Sequence, residues 1–414
     1  MTTTTGEFFK VVIVGHVDHG KSTLIGRLLS DTGTIPPDKL ETIRQACADA
    51  GQPFEYAYIT DQIREERLQG ITLDTTQIFF RSARRDYAII DAPGHREFLK
   101  HMITGASQAE GAMLVIDALE GVREQTRRHA CLLAFLGLRA PVVVVNKMDL
   151  VDFREDAYTA IDREIADVFR ALELAAAPPI PIAAATGENV AAPSDRLRWY
   201  AGPTLLDALD RLPKPAPLTD APLRLPVQDV YRVGGARMIV GQLAAGRVAD
   251  GDRLRLLPDA GEVTVAGMHE FGRERHAAEC GENVGLTVDG DPDAVRRGQV
   301  LVARDAPAPA ATREVRGALC WLAGAPLERG EPLTFRCATQ EAPCRVTHIR
   351  QRMDSASLLF CEADAPRLYE TEIGQVVIAT ERPVIVESFA RTPALGRFVL
   401  ERQGAIVAGG VVLC

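Results

Sequence analysis

The stretch Gly15-His16-Val17-Asp18-His19-Gly20-Lys21-Ser22 constrains this chain more than any other. It fits the pattern G-x-x-x-x-G-K-[ST], and its flanks fit as well. Phe9-Lys10-Val11-Val12-Ile13-Val14 before it reads as a buried parallel strand. Ser22-Thr23-Leu24-Ile25-Gly26-Arg27-Leu28-Leu29 after it reads as the opening turns of a helix. Strand, glycine loop and helix N-terminus together make an anion cradle, because backbone N–H groups converge on a phosphate and the helix dipole favours negative charge. Gly15 and Gly20 allow the tight turn. Lys21 is expected to reach the β- and γ-phosphates, and the Ser22 hydroxyl to ligate Mg²⁺.

The surroundings predict the fold. From Lys10 to about Leu212, apolar runs at 11–14, 78–80, 87–90, 112–116 and 142–145 alternate with helical stretches. Continuous apolar strands separated by helices imply a mostly parallel sheet covered on both faces, a doubly wound α/β domain. Ligands of such sheets bind at the carboxyl ends of the strands. Leu212-Pro213-Lys214-Pro215-Ala216-Pro217 then reads as a stiff linker. Beyond it, short strands such as 223–230, 238–245, 253–257 and 262–268 recur between Gly, Pro and Asp turns, the pattern of an all-β barrel. Ala306-Pro307-Ala308-Pro309-Ala310 makes a second linker. The expected order is a phosphate-loop domain over 1–212, a β-barrel over 218–305 and a C-terminal β-barrel over 311–414. With 414 residues, the chain is too long for a single core.

Three further motifs fall at the expected strand ends. Asp91-Ala92-Pro93-Gly94-His95 follows the run 87–90. There Asp91 would hold Mg²⁺ through water, the Gly94 N–H would approach the γ-phosphate, and His95 would orient the attacking water. Asn146-Lys147-Met148-Asp149 follows the run 142–145. A carboxylate at Asp149 accepts hydrogen bonds from the N1–H and exocyclic amine of guanine, a donor pattern that adenine lacks. Asn146 would bond the base and tie the loop, and the Lys147 stem would lie along the base plane. This motif turns the expectation from a nucleotide to GTP. Thr72, in Gln69-Gly70-Ile71-Thr72, is the expected switch ligand, holding Mg²⁺ only while the γ-phosphate is present.

Composition removes other classes. No apolar run approaches the length of a membrane-spanning helix, and the polar start, Met1 to Gly6, lacks a signal-peptide layout. The eight cysteines form no C-x-x-C pair and read as reduced thiols of a cytoplasmic protein. A net charge of −9 argues against holding nucleic acid by bulk electrostatics. The acidic positions across 151–174 read as the solvated face of a helix.

Together these motifs resemble the translation-factor class of GTPases typified by elongation factor Tu, which also carries two β-barrels after the GTPase domain. Leu225-Pro226-Val227-Gln228-Asp229-Val230-Tyr231 and Cys280-Gly281-Glu282-Asn283-Val284-Gly285-Leu286 look like parts of its second domain. Within the class, several stretches look most like the large, CysN-like GTPase subunit of bacterial sulfate adenylyltransferase. They are residues 22–29, 121–129, 146–153 and 199–206, with the tail Arg397-Phe398-Val399-Leu400-Glu401-Arg402 and Val407-Ala408-Gly409-Gly410. His16 and His19, where that family has Ser and Asp, and the stretch 228–235 lean toward the elongation factors. The guanine-binding Ser-Ala-Leu motif stands here as Ala183-Ala184-Ala185, where Ala184 can still offer its N–H to the guanine O6.

The resemblance implies a Mg²⁺-dependent, cytoplasmic GTPase that couples GTP hydrolysis to adenylyl sulfate formation in sulfate assimilation. It would form a hetero-oligomer with a smaller, CysD-like catalytic subunit that handles ATP and sulfate; nucleic acid, disfavoured by the net charge, and membrane are not expected partners. The other readings are a translation factor that carries aminoacyl-tRNA and a paralogue assisting another adenylating enzyme. The expected catalytic set is His95, Lys21, Thr72 and Gly94. The nucleotide contacts are Gly15, His16, Val17, Asp18, His19, Gly20, Lys21, Ser22, Thr23, Asp91, Gly94, Asn146, Lys147, Asp149, Ala183, Ala184 and Ala185. The Mg²⁺ ligands are Ser22, Thr72 and Asp91.

Overall fold

The computed structural model describes residues 8–49, 54–61, 76–91, 109–175, 177–233, 236–259, 261–270, 273–291 and 294–413. They divide into two compact units, 1–215 (joined by residues 355–358) and the remainder.

The first unit is built on a six-stranded sheet. Its strands are β1 (Phe9–Val14), β2 (Thr76–Arg81), β3 (Asp86–Asp91), β4 (Gly111–Asp117), β5 (Val142–Asn146) and β6 (Ile180–Pro181), in the spatial order β2-β3-β1-β4-β5-β6. Five strands run parallel, and β4 is buried along its whole length. Helices cover both faces, which is why these strands read as unbroken apolar runs. The run 78–80, read among the parallel strands, departs from their direction within this mostly parallel sheet. It belongs to β2, which pairs antiparallel with β3. Residues 82–85 join the two as a tight hairpin, closed by the Ser82 N–H on the Arg85 carbonyl. An apolar run records burial and not direction.

Helix α1 (Lys21–Asp31) presses Leu24, Ile25, Leu28 and Leu29 into the core. The spacing i, i+1, i+4, i+5 makes one stripe. Further along come α2 (Pro37–Asp49), α3 (Glu124–Phe135), α4 (Glu155–Ala171) and α5 (Leu205–Asp210). In α4, Tyr158, Ile161, Ile165, Val168 and Phe169 are buried. Glu155, Asp156, Glu164 and Asp167 face solvent, the solvated face read from the sequence.

The second unit holds two β assemblies. The first is a sheet whose ends are drawn together by the Arg224 N–H on the Ala245 carbonyl and the Gln228 N–H on the Val240 carbonyl. Its opening stretch, read as one strand over 223–230, is instead split into Leu225–Pro226 and Asp229–Val233. Pro226 has no N–H to continue a ladder. The second assembly is a closed barrel. Its strands run Pro332–Cys337, Arg397–Arg402, Ala405–Val412, Ala311–Trp321, Glu372–Ile385 and Gln340–Asp354, and the last pairs back with the first. Trp321, Phe335 and Phe398 fill its core.

Arg224 and Glu387, both almost fully buried, form a bidentate ion pair between the two assemblies, with N···O distances of 2.8 and 3.0 Å. Arg224 also donates to the Pro307 carbonyl at 3.0 Å, so the second proline linker is pinned. Thr392 donates to Glu387 at 2.7 Å. Burial pushes the Glu387 carboxyl up, but the bonds from Arg224 and Thr392 outweigh it and hold the group below its ordinary value. A depressed folded-state pKa adds stability above the ordinary glutamate range and loses it as pH falls through the folded value. Glu387→Ala leaves a buried guanidinium unpaired. We expect a loss of about 3–5 kcal/mol in denaturant unfolding of the β unit, larger at pH 7 than below pH 4.

Candidate functional site

The site is built where β1, β3, β4 and β5 end. Val14 of β1 stands beside Leu114 of β4, and Ile13 beside Asp91 of β3. Val145 and Asn146 of β5 stand beside Ile116 and Asp117 of β4. All three sequence motifs with described residues therefore meet on one edge.

The phosphate loop leaves β1 at Gly15. A Cβ there would lie 2.6 Å from the Val115 carbonyl oxygen, so only glycine lets the loop lie against β4. Residues 17–19 form one 3-10 turn, and Gly20 (φ 79°) turns the chain into α1. A Cβ on Gly20 would meet the Asn146 side chain at 2.6 Å. The first N–H groups of α1 have no intrahelical acceptor, and they sit where an anion can take them. The Lys21 ammonium arches across the loop and donates to the Gly15 and His16 carbonyls, each at 2.7 Å. Ser22 and Thr23 are half-buried, Val17 and Asp18 exposed. The Thr60 hydroxyl donates to the Ser22 carbonyl at 2.9 Å and steadies the helix start.

Asn146 joins this loop to the next motif. Its amide nitrogen donates to the His19 carbonyl at 3.0 Å, and its oxygen accepts the Ala184 N–H at 3.0 Å. Asn146, Ala183 and Ala184 are buried, and Ala185 is exposed. The N–H expected to meet guanine O6 is thus held by Asn146, and the Met148 N–H on the Ile182 carbonyl ties the same two loops again. Lys147 takes a left-handed conformation (φ 62°), and its ammonium pairs with Asp117 at 2.8 Å. Asp149 is half-buried in the turn Met148–Val151. Asp91 is buried at the end of β3. Thr72, Gly94 and His95 lie outside the described residues.

Asp117 escaped the sequence reading. It is buried, accepts the Leu119 N–H at 2.7 Å and holds Lys147 in place. A carboxylate at the carboxyl end of the run 112–116 was the available signal. Glu120, which faces His19, was missed too.

An edge that gathers a phosphate loop, a buried aspartate and an Asn-Lys-x-Asp turn defines a guanine-nucleotide protein. Residues 7–215 match the family model for the elongation factor Tu GTP binding domain, and residues 314–413 match the GTP-eEF1A C-terminal domain-like family. Over 410 residues the chain is 38% identical to elongation factor 1-alpha of Natronomonas pharaonis, covering 97% of both chains. Over 416 residues it is 35% identical to elongation factor 1-alpha of Pyrococcus woesei, covering 97% of this chain and 96% of that one. A solved structure of sup35 complexed with GDP is 26% identical, covers 99% of this chain and 94% of that one, and has a TM-score of 0.46. The chain belongs to the elongation factor Tu family of GTP-binding proteins.

This corrects the finer expectation. Relatives matched almost end to end are named elongation factor 1-alpha, which overturns the assignment to the GTPase subunit of sulfate adenylyltransferase. The expected adenylyl sulfate chemistry, the CysD-like partner with its ATP and sulfate, and the hetero-oligomer go with it. Several of the positions behind that reading are scaffold. Residues 22–29 supply the buried face of α1, Trp199 donates to the Phe153 carbonyl at 2.9 Å and packs on Tyr158, and Phe398 fills the barrel. Such positions report packing and not a partner. The exclusion of nucleic acid is withdrawn as well, because net charge sums over the whole surface. In the β unit, Arg296, Arg297, Arg336 and Arg382 line one cavity of about 440 Å³ together with Asp259 and Glu341, which pair with Arg296 and Arg336. Among the described residues no helix is long and apolar enough to cross a membrane.

The Asn146 joint is open to a direct test. Asn146→Ala leaves a buried carbonyl and a buried N–H without partners, at a cost of roughly 1–3 kcal/mol each. GDP affinity measured by calorimetry should fall at least about tenfold, while the thermal midpoint of the β unit should not move.

Proposed function

We propose that this chain is a GTP-driven elongation factor of translation, working in the cytoplasm. It carries aminoacyl-tRNA while GTP is bound and releases it after hydrolysis. The near end-to-end likeness to elongation factor 1-alpha carries this reading, and the joined phosphate and guanine loops support it. The boundaries that go with it are a GTPase domain over 1–212 and β domains over 218–305 and 311–414.

Within the site, Lys21 and the loop of Gly15, His16, Val17, Asp18, His19, Gly20, Ser22 and Thr23 hold the phosphates. Asn146, Lys147 and Asp149 read guanine, framed by Ala183, Ala184 and Ala185. Gly94 senses the γ-phosphate, and His95 positions the water. Mg²⁺ fits the residues present, since a hard cation takes oxygen donors and this edge offers the Ser22 hydroxyl and the buried Asp91 carboxylate. Ser22 and Thr72 would ligate it directly and Asp91 through water. Bound there, Mg²⁺ offsets the negative charge of the β- and γ-phosphates.

Aminoacyl-tRNA supplies the test. The GTP-loaded protein should slow spontaneous hydrolysis of the aminoacyl ester, and the GDP-loaded protein should not; equal deacylation in both states would defeat the carrier role. His95→Ala should slow GTP turnover by roughly 10²-fold with little change in GTP affinity.

A further inference from the structure

His16, His19 and Glu120 lie together beside the phosphate loop, each with one ligating atom within 4.8 Å of the others. The geometry fixes the chemistry of His19. Its ring is fully buried, and Nδ1 lies 2.9 Å from the Val115 carbonyl oxygen. A carbonyl can only accept, so Nδ1 carries the proton. In the neutral ring, Nε2 then offers a lone pair. That lone pair faces a carboxylate oxygen of Glu120 at 3.4 Å, one acceptor against another. His19 Nε2 and His16 Nδ1 are both buried without a hydrogen-bond partner among the described residues. Burying such groups unpaired is costly, so the arrangement calls for something positive between them.

A proton and a metal ion are the two candidates, and His16 separates them: a proton on His19 Nε2 satisfies Glu120 but leaves the buried His16 Nδ1 without a partner, whereas an ion takes all three groups. A charge-assisted N–H···O bond closes to about 2.7–2.9 Å. Two ligands about 2.1 Å from a tetrahedral zinc ion lie about 3.4 Å apart. The 3.4 Å between His19 Nε2 and Glu120 suits that spacing, and the three ligating atoms lie within 4.8 Å of one another, so an ion would draw them closer. A histidine that ligates through one nitrogen while the other donates to a backbone carbonyl is the arrangement that holds a metal-binding ring in place. Glu120 is partly exposed, which gives an ion a way in.

We propose that His16, His19 and Glu120 bind a zinc-class divalent ion, separate from the oxygen-lined Mg²⁺ site. Two imidazoles and one carboxylate suit Zn²⁺ and disfavour Mg²⁺, and water or an anion completes the fourth position. The ion would pin the phosphate loop to the segment after β4, and so bear on how readily that loop opens. The proposal does not rest on the translation reading.

The test uses the full chain loaded with GDP in excess Mg²⁺, with Zn²⁺ added in equilibrium dialysis. We expect one Zn²⁺ per chain that Mg²⁺ does not displace. Its affinity should fall at least about tenfold in Glu120→Gln and likewise in His16→Ala. Co²⁺ in place of Zn²⁺ should give a four-coordinate visible spectrum without the charge-transfer band of a thiolate ligand. Circular dichroism of the same samples monitors the fold, and GDP affinity of Glu120→Gln monitors the nucleotide site. No retained Zn²⁺, or Zn²⁺ held equally well in both variants, overturns the proposal. So does a thiolate signature, which would place the ion at a cysteine such as the exposed Cys361.

Discussion

A single buried amide holds the nucleotide edge together. Asn146 gives its N–H to the phosphate loop at the His19 carbonyl and takes the N–H of Ala184 from the guanine loop. Two loops that are more than 160 positions apart in the chain thereby share one fixed point. The geometry depends on Gly20, because any side chain there would strike the Asn146 amide. Lys147, next in the chain, is locked to Asp117 on the neighbouring strand. The turn that opens with Asn146 and Lys147 is therefore fastened on both sides, to Ala184 and to Asp117.

The parallel sheet makes this possible. Its strands end at one edge, so short loops from distant parts of the chain converge there without long excursions. The buried apolar strands supply the rigidity, and the loops carry the polar chemistry. The β unit follows a different logic. Its two assemblies share a buried ion pair, Arg224 with Glu387, that also captures the linker at Pro307. Such a pair contributes little net stability against an apolar alternative, but it fixes which surfaces meet.

Much of this was legible in the sequence because apolar periodicity and glycine loops are local signals. The runs 87–90, 112–116 and 142–145 announced β3, β4 and β5 with little error. The direction of β2 was not legible, since Ile78 and Phe80 are apolar whichever way the strand runs. Asp117 stood in view as a carboxylate at the end of the run 112–116, but its role did not: its partner Lys147 is 30 residues away, and no local pattern joins them. The finer family assignment failed because it leaned in part on packing stretches such as Leu24 to Leu29, whose buried side chains report the core of α1 and not a partner. His16 and His19 sat in the functional loop and pointed toward the elongation factors.

The central claim is that this edge selects guanine through Asp149. The most direct measurement compares the affinities of the wild-type chain and Asp149→Asn for GTP and for xanthosine triphosphate. An amide at this position can donate to the extra carbonyl of xanthine but no longer accepts both guanine bonds. The account predicts that the variant loses GTP affinity by on the order of 10²-fold and gains affinity for xanthosine triphosphate. Unchanged GTP affinity in the variant would contradict it.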